Sequence, residues 1–373
     1  MITFFSNFIN EHQIPFCNAM YEKTNGQFRF VATEPISEER LSMGFVDQSD
    51  KFPYVVKSYE DFEEALRLGK ESDVVIIGSA PDGFIVDRLK ENKLTFRYCE
   101  RYFKEGRWRI FDPRVFCWRY KNDFRYRNKN IYMLCASAYT APDCRFILSY
   151  PDKCYKWGYF PPIEKYEDVD ELIRLKHPAS ILWVGRLMGW KHPEAAIETA
   201  KKLKQAGYVF HLTMIGEGEE KESCKRLIEK YQLMDKVDML GFISPKKVRE
   251  YMKKADIYLF TSDQNEGWGA VLNESMNSAS AVVACREIGS VPYVVKHGEN
   301  GLIYDRQSKN SLYINVKRLL DDEELKHKLQ RNAYATMIST WNADTASERL
   351  LDLINCIQKG KEIPYQEGPC SKD

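Results

Sequence analysis

The sequence has no pair of cysteines at C-x-x-C spacing and no histidines at metal-ligand spacing, although ten cysteines and six histidines are present. Scattered cysteines of this kind are expected to stay reduced, as in a cytosolic protein, and they supply no metal framework. No apolar run approaches the roughly 20 residues needed to span a bilayer. The opening stretch MITFFSNFIN is apolar, but no basic segment precedes it and Ser6 and Asn7 interrupt it. A first strand is therefore expected there rather than a secretory signal. Neither sign of charge dominates: 55 Lys and Arg against 54 Asp and Glu leave a formal net charge of +1, which argues against a general nucleic-acid binder. No internal repeat is present. No strand-like segment is followed by G-x-G-x-x-G, which disfavours a dinucleotide-dependent oxidoreductase. What is present is an ordinary globular composition, 44% hydrophobic and 29% charged. At 373 residues, two domains are expected.

The first half alternates strand-like and helix-like segments. Strands are predicted over 2–5, 28–33, 54–56, 74–77, 94–98, 131–138 and 146–149, with helices over 17–22, 59–68 and 82–92. A proline-opened, acidic stretch from Pro161 to Leu175 reads as a linker. Beyond it, strands are predicted over 181–184, 210–215, 237–242, 258–260, 281–284 and 302–304. They alternate with helices over 193–206, 219–233, 244–254, 311–320 and 323–339. Such alternation implies α/β architecture built from parallel βαβ units. Asn342 or Asp344 is expected to cap a last amphipathic helix, and the tail after Gly360 to be disordered.

The stretch from Tyr258 to Cys285 concentrates candidate chemistry. A short apolar strand leads into a polar loop, then a helix predicted to open near Trp268. Glu266 would stand at the mouth of that helix and Glu274 about two turns inside it. The Gly267-Trp268-Gly269 entry lets the backbone approach a ligand, and the free N–H groups of a first turn favour an anion. Two solvated glutamates on a surface loop and helix would fit the residues equally well. Gly185-Arg186 follows the strand at 181–184, with Lys191 a few residues on. Cations where a strand meets a helix sit at the edge on which open α/β sheets bind ligands, and they suit phosphate oxygens. Gly216-Glu217-Gly218 follows another strand. The pair Asp168 and Asp170 reads as solvated carboxylates rather than a metal site.

The segment from Arg97 to Lys129 carries eleven basic residues against four acidic ones, Glu100, Glu105, Asp112 and Asp123, with aromatics interleaved. This mixture fits an anionic membrane surface or phosphate groups. An insertion with inward-packed aromatics and solvated arginines fits it as well. No nucleic-acid motif accompanies the segment.

Gly185-Arg186-Leu187 with Lys191, Ile215-Gly216-Glu217-Gly218, Gly241-Phe242-Ile243 and EGWGAVLNE from Glu266 to Glu274 occur in the order seen in glycosyltransferase family 4. The chain resembles a retaining GT-B enzyme that uses a nucleotide sugar. Residues 181–304 carry most of the resemblance. Asn10 to Gln13 and Lys156 to Phe160 are more loosely similar to bacterial capsule and exopolysaccharide members.

The resemblance implies an α/β GT-B fold, two Rossmann-like domains facing across a crevice, with a C-terminal helix crossing back. The expected boundaries are 1–160 for an acceptor-binding domain, 161–176 for a linker and 177–340 for a nucleotide-sugar-binding domain. The returning helix is expected over 341–359 and the tail over 360–373. Arg186 and Lys191 would hold the diphosphate, Glu274 the ribose hydroxyls and Glu266 the transferred sugar. Gly185, Gly216, Gly218, Phe242, Ile243, Gly267, Trp268, Gly269, Ala270 and Val271 would complete the donor site. His12 is the catalytic candidate from the first domain, with Arg101 and Ser79 as acceptor-side candidates.

Neither a metal nor a cofactor is expected. The donor is expected to be a UDP-linked sugar, and the acceptor a growing, lipid-linked oligosaccharide. The expected place is the cytoplasm, peripheral on the inner face of the membrane. The sequence departs from the family's pattern at Ala279, Ala281, Ser290 and Tyr293, which leaves the sugar open. A GT-B nucleotide-sugar epimerase and a non-catalytic sugar-nucleotide-binding subunit of a membrane assembly remain as alternatives.

Overall fold

The computed structural model describes residues 1–38, 47–308 and 310–373. The chain divides into one unit formed by Met1–Pro162 with Trp341–Asp373, and a second formed by Ile163–Thr340. The first unit holds β1 (Ile2–Ser6), β2 (Phe28–Ala32), β3 (Val55–Lys57), β4 (Val74–Ile77), β5 (Thr95–Cys99), β6 (Ile131–Cys135) and β7 (Cys154–Lys156). These strands are parallel, in the order β3-β2-β1-β4-β5-β6-β7. Every residue of β1 and β4 is buried, as expected for continuous Phe, Val and Ile runs covered on both faces. The helix Ala343–Lys359 is capped by Asn342, whose side chain accepts from Thr345 N at 2.9 Å. It packs on the helix Ile14–Lys23 of the same unit.

The second unit holds β8 (Ser180–Val184), β9 (His211–Ile215), β10 (Val237–Gly241), β11 (Ile257–Phe260), β12 (Ala281–Cys285) and β13 (Leu302–Tyr304). They are parallel in the order β10-β9-β8-β11-β12-β13, with Leu182 opposite Tyr258 where β8 meets β11. The strand order reverses between β8 and β11. Because all the strands run the same way, Gly185, Gly216 and Thr261 emerge on one edge of the sheet. An open α/β sheet binds its ligand outside that edge, at the reversal.

Three expectations need correction. No strand forms over 146–149. The helix Thr140–Phe146 ends there, and Leu148, Tyr150 and Asp152 take φ values of 54°, 53° and 52°. Left-handed residues in alternation cannot form a strand, and the sheet resumes only at β7. The acidic stretch 161–176 holds the boundary between the units, after Pro162, but it is not a structureless linker. It contains the helix Val169–Arg174, whose buried Ile173 packs with Ala279 and Tyr334. Asp168 caps this helix by accepting from Asp170 N at 2.8 Å, and the Asp170 carboxylate pairs with Arg331 at 2.5 Å. The tail after Gly360 is not disordered either. Cys370 and Ser371 are fully buried, Lys156 N donates to Ser371 O at 2.9 Å, and Cys370 N donates to Lys156 O at 2.8 Å. The tail satisfies the free edge of β7, which its polar composition concealed.

Candidate active site

Two loops meet at the reversal between β8 and β11. The loop after β8 is held against the loop after β9 through Leu187 N, which donates to Glu217 O at 2.8 Å. Gly216 has φ +142°, and a Cβ there would stand 1.8 Å from the Gly185 carbonyl oxygen. No side chain fits that approach. The loop then turns through Trp190, Lys191 and His192. Lys191 O accepts from Thr261 Oγ1 (2.7 Å), which itself accepts from Trp183 Nε1 (2.8 Å). Trp190 O accepts from Asp263 N at 3.0 Å. The two loops are thus tied by their backbones before any side chain acts.

The side chains then converge. Lys191 Nζ stands 2.5 Å from Glu266 Oε2, and Ser262 Oγ donates to the same oxygen at 3.0 Å. The lysine and glutamate side chains are 13% and 12% exposed, so water screens the pair weakly while one side remains open. The ammonium also lies 4.5 Å from the centre of the Trp190 ring. Gly185 abuts this lysine: a Cβ there would lie 3.1 Å from Lys191 Cδ. Glu266 N donates to Asp263 O (3.1 Å), and Glu266 O accepts from Gly289 N (3.2 Å).

His192 was not singled out from the sequence. It adopts the left-handed conformation (φ 50°, ψ 52°) immediately before Pro193. Its Nδ1 is 2.8 Å from Glu194 Oε1 and its Nε2 is 3.3 Å from Asp263 Oδ2. The hydrogen bond to Glu194, outweighing partial burial, raises its pKa above the ordinary value, with Asp263 adding to the effect. His192 therefore clips the Lys191 loop to the Glu266 loop. Ser262 and Asp263 were missed too, although they directly follow β11, the same position rule that selected Arg186.

The helix after the glycine loop runs Val271–Asn277 rather than opening near Trp268. Glu274 lies in its first turn, not two turns inside, and Glu266 precedes it by a loop. The cause is Trp268, fully buried, whose Nε1 donates to Asn273 Oδ1 (2.9 Å) and whose carbonyl accepts from Ser290 Oγ (2.5 Å). Gly269 follows at φ +77°, where a Cβ would stand 2.3 Å from Phe260 Cζ. The chain reverses around the indole, and the helix starts only once the turn is complete, with Ala270 at its N-cap and Val271 its first residue. Both glutamates still act on one group. Burial, and after it the charges of Glu266 and Glu274, push the pKa of the enclosed Tyr258 phenol well above its ordinary value.

The structure therefore brings together Gly185, Lys191, Gly216, Glu266 and Gly269, and sets Glu274 on the same buried tyrosine. Gly218 follows in the loop after β9, and Arg186 is exposed beside Gly185. Phe242 and Ile243 follow β10, two strands from β8; Phe242 is 63% exposed.

His12 belongs to the first unit. It follows β1, at the reversal of strand order between β1 and β4, and the exposed Ser79 follows β4. Its Nδ1 is buried without a partner, its ring lies parallel to Tyr159 at 6.3 Å, and burial lowers its pKa to about 4. Arg101 stands over Tyr139 and 3.8 Å from the buried Asp143 carboxylate.

Residues 166–336 match the family described as Glycosyl transferases group 1. The amylovoran biosynthesis glycosyltransferase AmsK of Erwinia amylovora is 29% identical over 185 residues, 48% of this chain and 45% of that one. A 4-alpha-N-acetylgalactosaminyltransferase of Campylobacter jejuni, named for an N-acetylgalactosamine-N,N'-diacetylbacillosaminyl-diphospho-undecaprenol substrate, is 31% identical over 153 residues, 41% of this chain and 40% of that one. The matched region spans less than half the length of each of these relatives. HepE of Anabaena, solved in complex with UDP, superposes with a TM-score of 0.67 at 14% identity, covering 95% of this chain and 99% of HepE. WaaG, a glycosyltransferase involved in lipopolysaccharide biosynthesis, superposes with a TM-score of 0.62 at 14% identity over 95% and 99%. The chain has the two-sheet GT-B fold, and its residues 166–336 match the Glycosyl transferases group 1 family.

Proposed function

We propose that the protein is a retaining glycosyltransferase that moves a sugar from a UDP-linked donor to a growing, lipid-linked oligosaccharide in surface polysaccharide synthesis. The observation that carries this reading is the Lys191–Glu266 pair, with Ser262 on the same oxygen, at the strand-order reversal of the second sheet. An ammonium has three N–H donors, so Lys191 can keep its bond to Glu266 and still donate to a phosphate oxygen. Arg186, exposed one residue past Gly185, adds a guanidinium whose fork matches phosphate. Glu266 retains its second oxygen for a sugar hydroxyl, and Glu274 is assigned to the ribose. The names of the polysaccharide-synthesis relatives and the UDP bound by HepE support the same substrate class.

In the step itself, the bond between the anomeric carbon and the diphosphate oxygen breaks. The acceptor hydroxyl oxygen bonds to that carbon on the same face, and its proton passes to the leaving diphosphate. Negative charge grows on the diphosphate, and Lys191 and Arg186 are placed to stabilise it. These two cations supply the positive charge, so neither a metal nor a cofactor is assigned. His12, neutral at pH 7 with a lowered pKa of about 4, is assigned to hydrogen bonding with substrate hydroxyls.

A panel of nucleotide sugars tests the reading. One UDP-sugar should raise the melting temperature and be consumed only when an oligosaccharide acceptor is present, with the anomeric configuration kept in the product by NMR. Isomerised donor formed without acceptor would instead indicate an epimerase, and no response to any nucleotide sugar would reject the proposal.

A further inference from the structure

Three cysteines of the first unit share one buried cluster with Tyr150. Cys135 closes β6, Cys154 opens β7, and Cys144 lies on the helix Thr140–Phe146 between them. Met133 of β6 stands opposite Cys154, which sets Cys135 two positions further along on the same face. Their surroundings differ. Cys135 and Cys144 are fully enclosed, whereas Cys154 lines a cavity of about 420 Å³. The cavity is bordered by Arg145 of the helix, Asp152 of the turn, and Lys372 and Asp373 of the returning tail. Lys372 Nζ donates to Asp152 O, and Asp373 N donates to Cys154 O at 3.1 Å, so the tail forms one wall.

Three adjacent thiols cannot all ionise, and position selects the one that does. The Cys135 and Cys144 thiols donate towards the Cys154 sulfur, and Arg145 and Lys372 add positive charge beside it. The two hydrogen bonds, outweighing burial, hold its pKa well below the ordinary thiol range, with the cations adding to the effect. Burial pushes the Cys135 and Cys144 thiols well above that range. As a thiol, Cys154 donates to Tyr150 O at 3.9 Å, a weak bond to give up on ionisation. Among the described residues no group of three or more His, Cys, Asp or Glu side chains is disposed to hold a metal ion. The chemistry left to the cluster is that of sulfur itself: a thiolate open to a cavity, with thiols in reach to resolve it.

We infer that Cys154 is a hydroperoxide-reactive thiolate and that Cys144 is its resolving thiol. The Cys154 sulfur attacks one peroxide oxygen, the S–O bond forms as the O–O bond breaks, and the departing oxyanion takes a proton from water. Sulfur is oxidised by two electrons to a sulfenic acid, and the peroxide is reduced. The Cys144 sulfur then displaces the hydroxyl, forming the S–S bond, and the thiol proton leaves with it as water. Cys135 is unsuited to this second step. One strand spacing and two residues of rise put its Cα roughly 8 Å from that of Cys154, beyond an unstrained disulfide. Cys144, on a helix, is not bound to that register. Every residue involved lies in the first unit, so the reaction stands apart from the transferase reading.

Peptide-resolved mass spectrometry of the full chain tests both steps. Iodoacetamide should label Cys154 at pH 6 at about half its pH 9 rate or faster, whereas a thiol titrating at about 8.5 would slow more than about 100-fold. Hydrogen peroxide should then link the Cys144 and Cys154 peptides with the loss of two hydrogens, and dithiothreitol should reverse it. Cys144→Ser should abolish the link and leave a sulfenic acid at Cys154 that dimedone captures, while Cys135→Ser should keep the link. The wild-type chain alone is enough to overturn the inference. Cys154 labelling that is absent at both pH values or falls about 100-fold at pH 6 would do so. So would a link to Cys135, or oxidation of the exposed Cys117 ahead of Cys154.

Discussion

His12 and His192 depart from ordinary imidazole behaviour in opposite directions, and the directions separate their roles. Burial lowers the His12 pKa from 6.5 to about 4, so the unfolded chain holds this proton more readily than the folded one between those values. His12 therefore makes stability fall as pH drops from 6.5 towards 4. His192 is raised by Glu194 and Asp263, so its contribution is fully present below 6.5 and is lost as pH rises through its folded value. Urea midpoints measured across pH should show His12→Gln removing part of the acid-side loss. His192→Gln should remove stability at low pH and leave it unchanged at high pH. Identical profiles for both variants and the wild type would show that neither ring differs between the folded and unfolded states. Neither property was legible in the sequence. A lone histidine has no pattern, and the surroundings of each come from residues distant in the chain.

Among the elements, the second sheet's edge loops are held by more than their own bonds. Lys176, buried at the end of the helix Val169–Arg174, donates to the carbonyls of Lys253 (3.0 Å), Ala255 (2.9 Å) and Ser278 (2.8 Å). It ties the end of the helix Pro245–Lys254 to the end of the helix that carries Glu274. Lys176→Met should leave these carbonyls unpaired and cost about 3 kcal/mol in urea unfolding, and a loss below 1 kcal/mol would deny the tie. Elements built on uniform local patterns were readable: β4 is Val-Val-Ile-Ile, and the caps at Ser244 and Asn342 form as their residue types suggest. Where burial was decided by distant partners, local pattern misled. Gly267 and Gly269 look like a helix entry, but the buried Trp268 between them makes a turn instead. Phe146, Ile147 and Leu148 look like a strand, whereas the short and more polar Cys154–Lys156 forms it.

At the scale of the whole molecule, the site in the second unit was more legible than anything in the first. The strand-end rule places Arg186, Lys191 and Glu266 on one sheet edge from spacing alone, and the glycines mark where backbones touch. The first unit hides its organisation in returning chain: the helix Ala343–Lys359 and the tail both complete it from the far end of the sequence. Leu350 and Leu353 are fully buried there. Leu353→Ala should destabilise the first unit by about 2–5 kcal/mol. Hydrogen exchange should show the loss in β1 and the helix Ile14–Lys23 and leave β8 and β11 protected; equal loss in both units would contradict the division of the chain.

Lys191 and Glu266 are proposed as the reacting centre of a sugar transfer, so each should be needed for turnover. Turnover of the accepted UDP-sugar by Lys191→Ala and by Glu266→Ala, beside their melting curves, tests it most directly. A fall in kcat of about 100-fold or more is expected in each, with both proteins still folded. Near-normal turnover in both variants would contradict it.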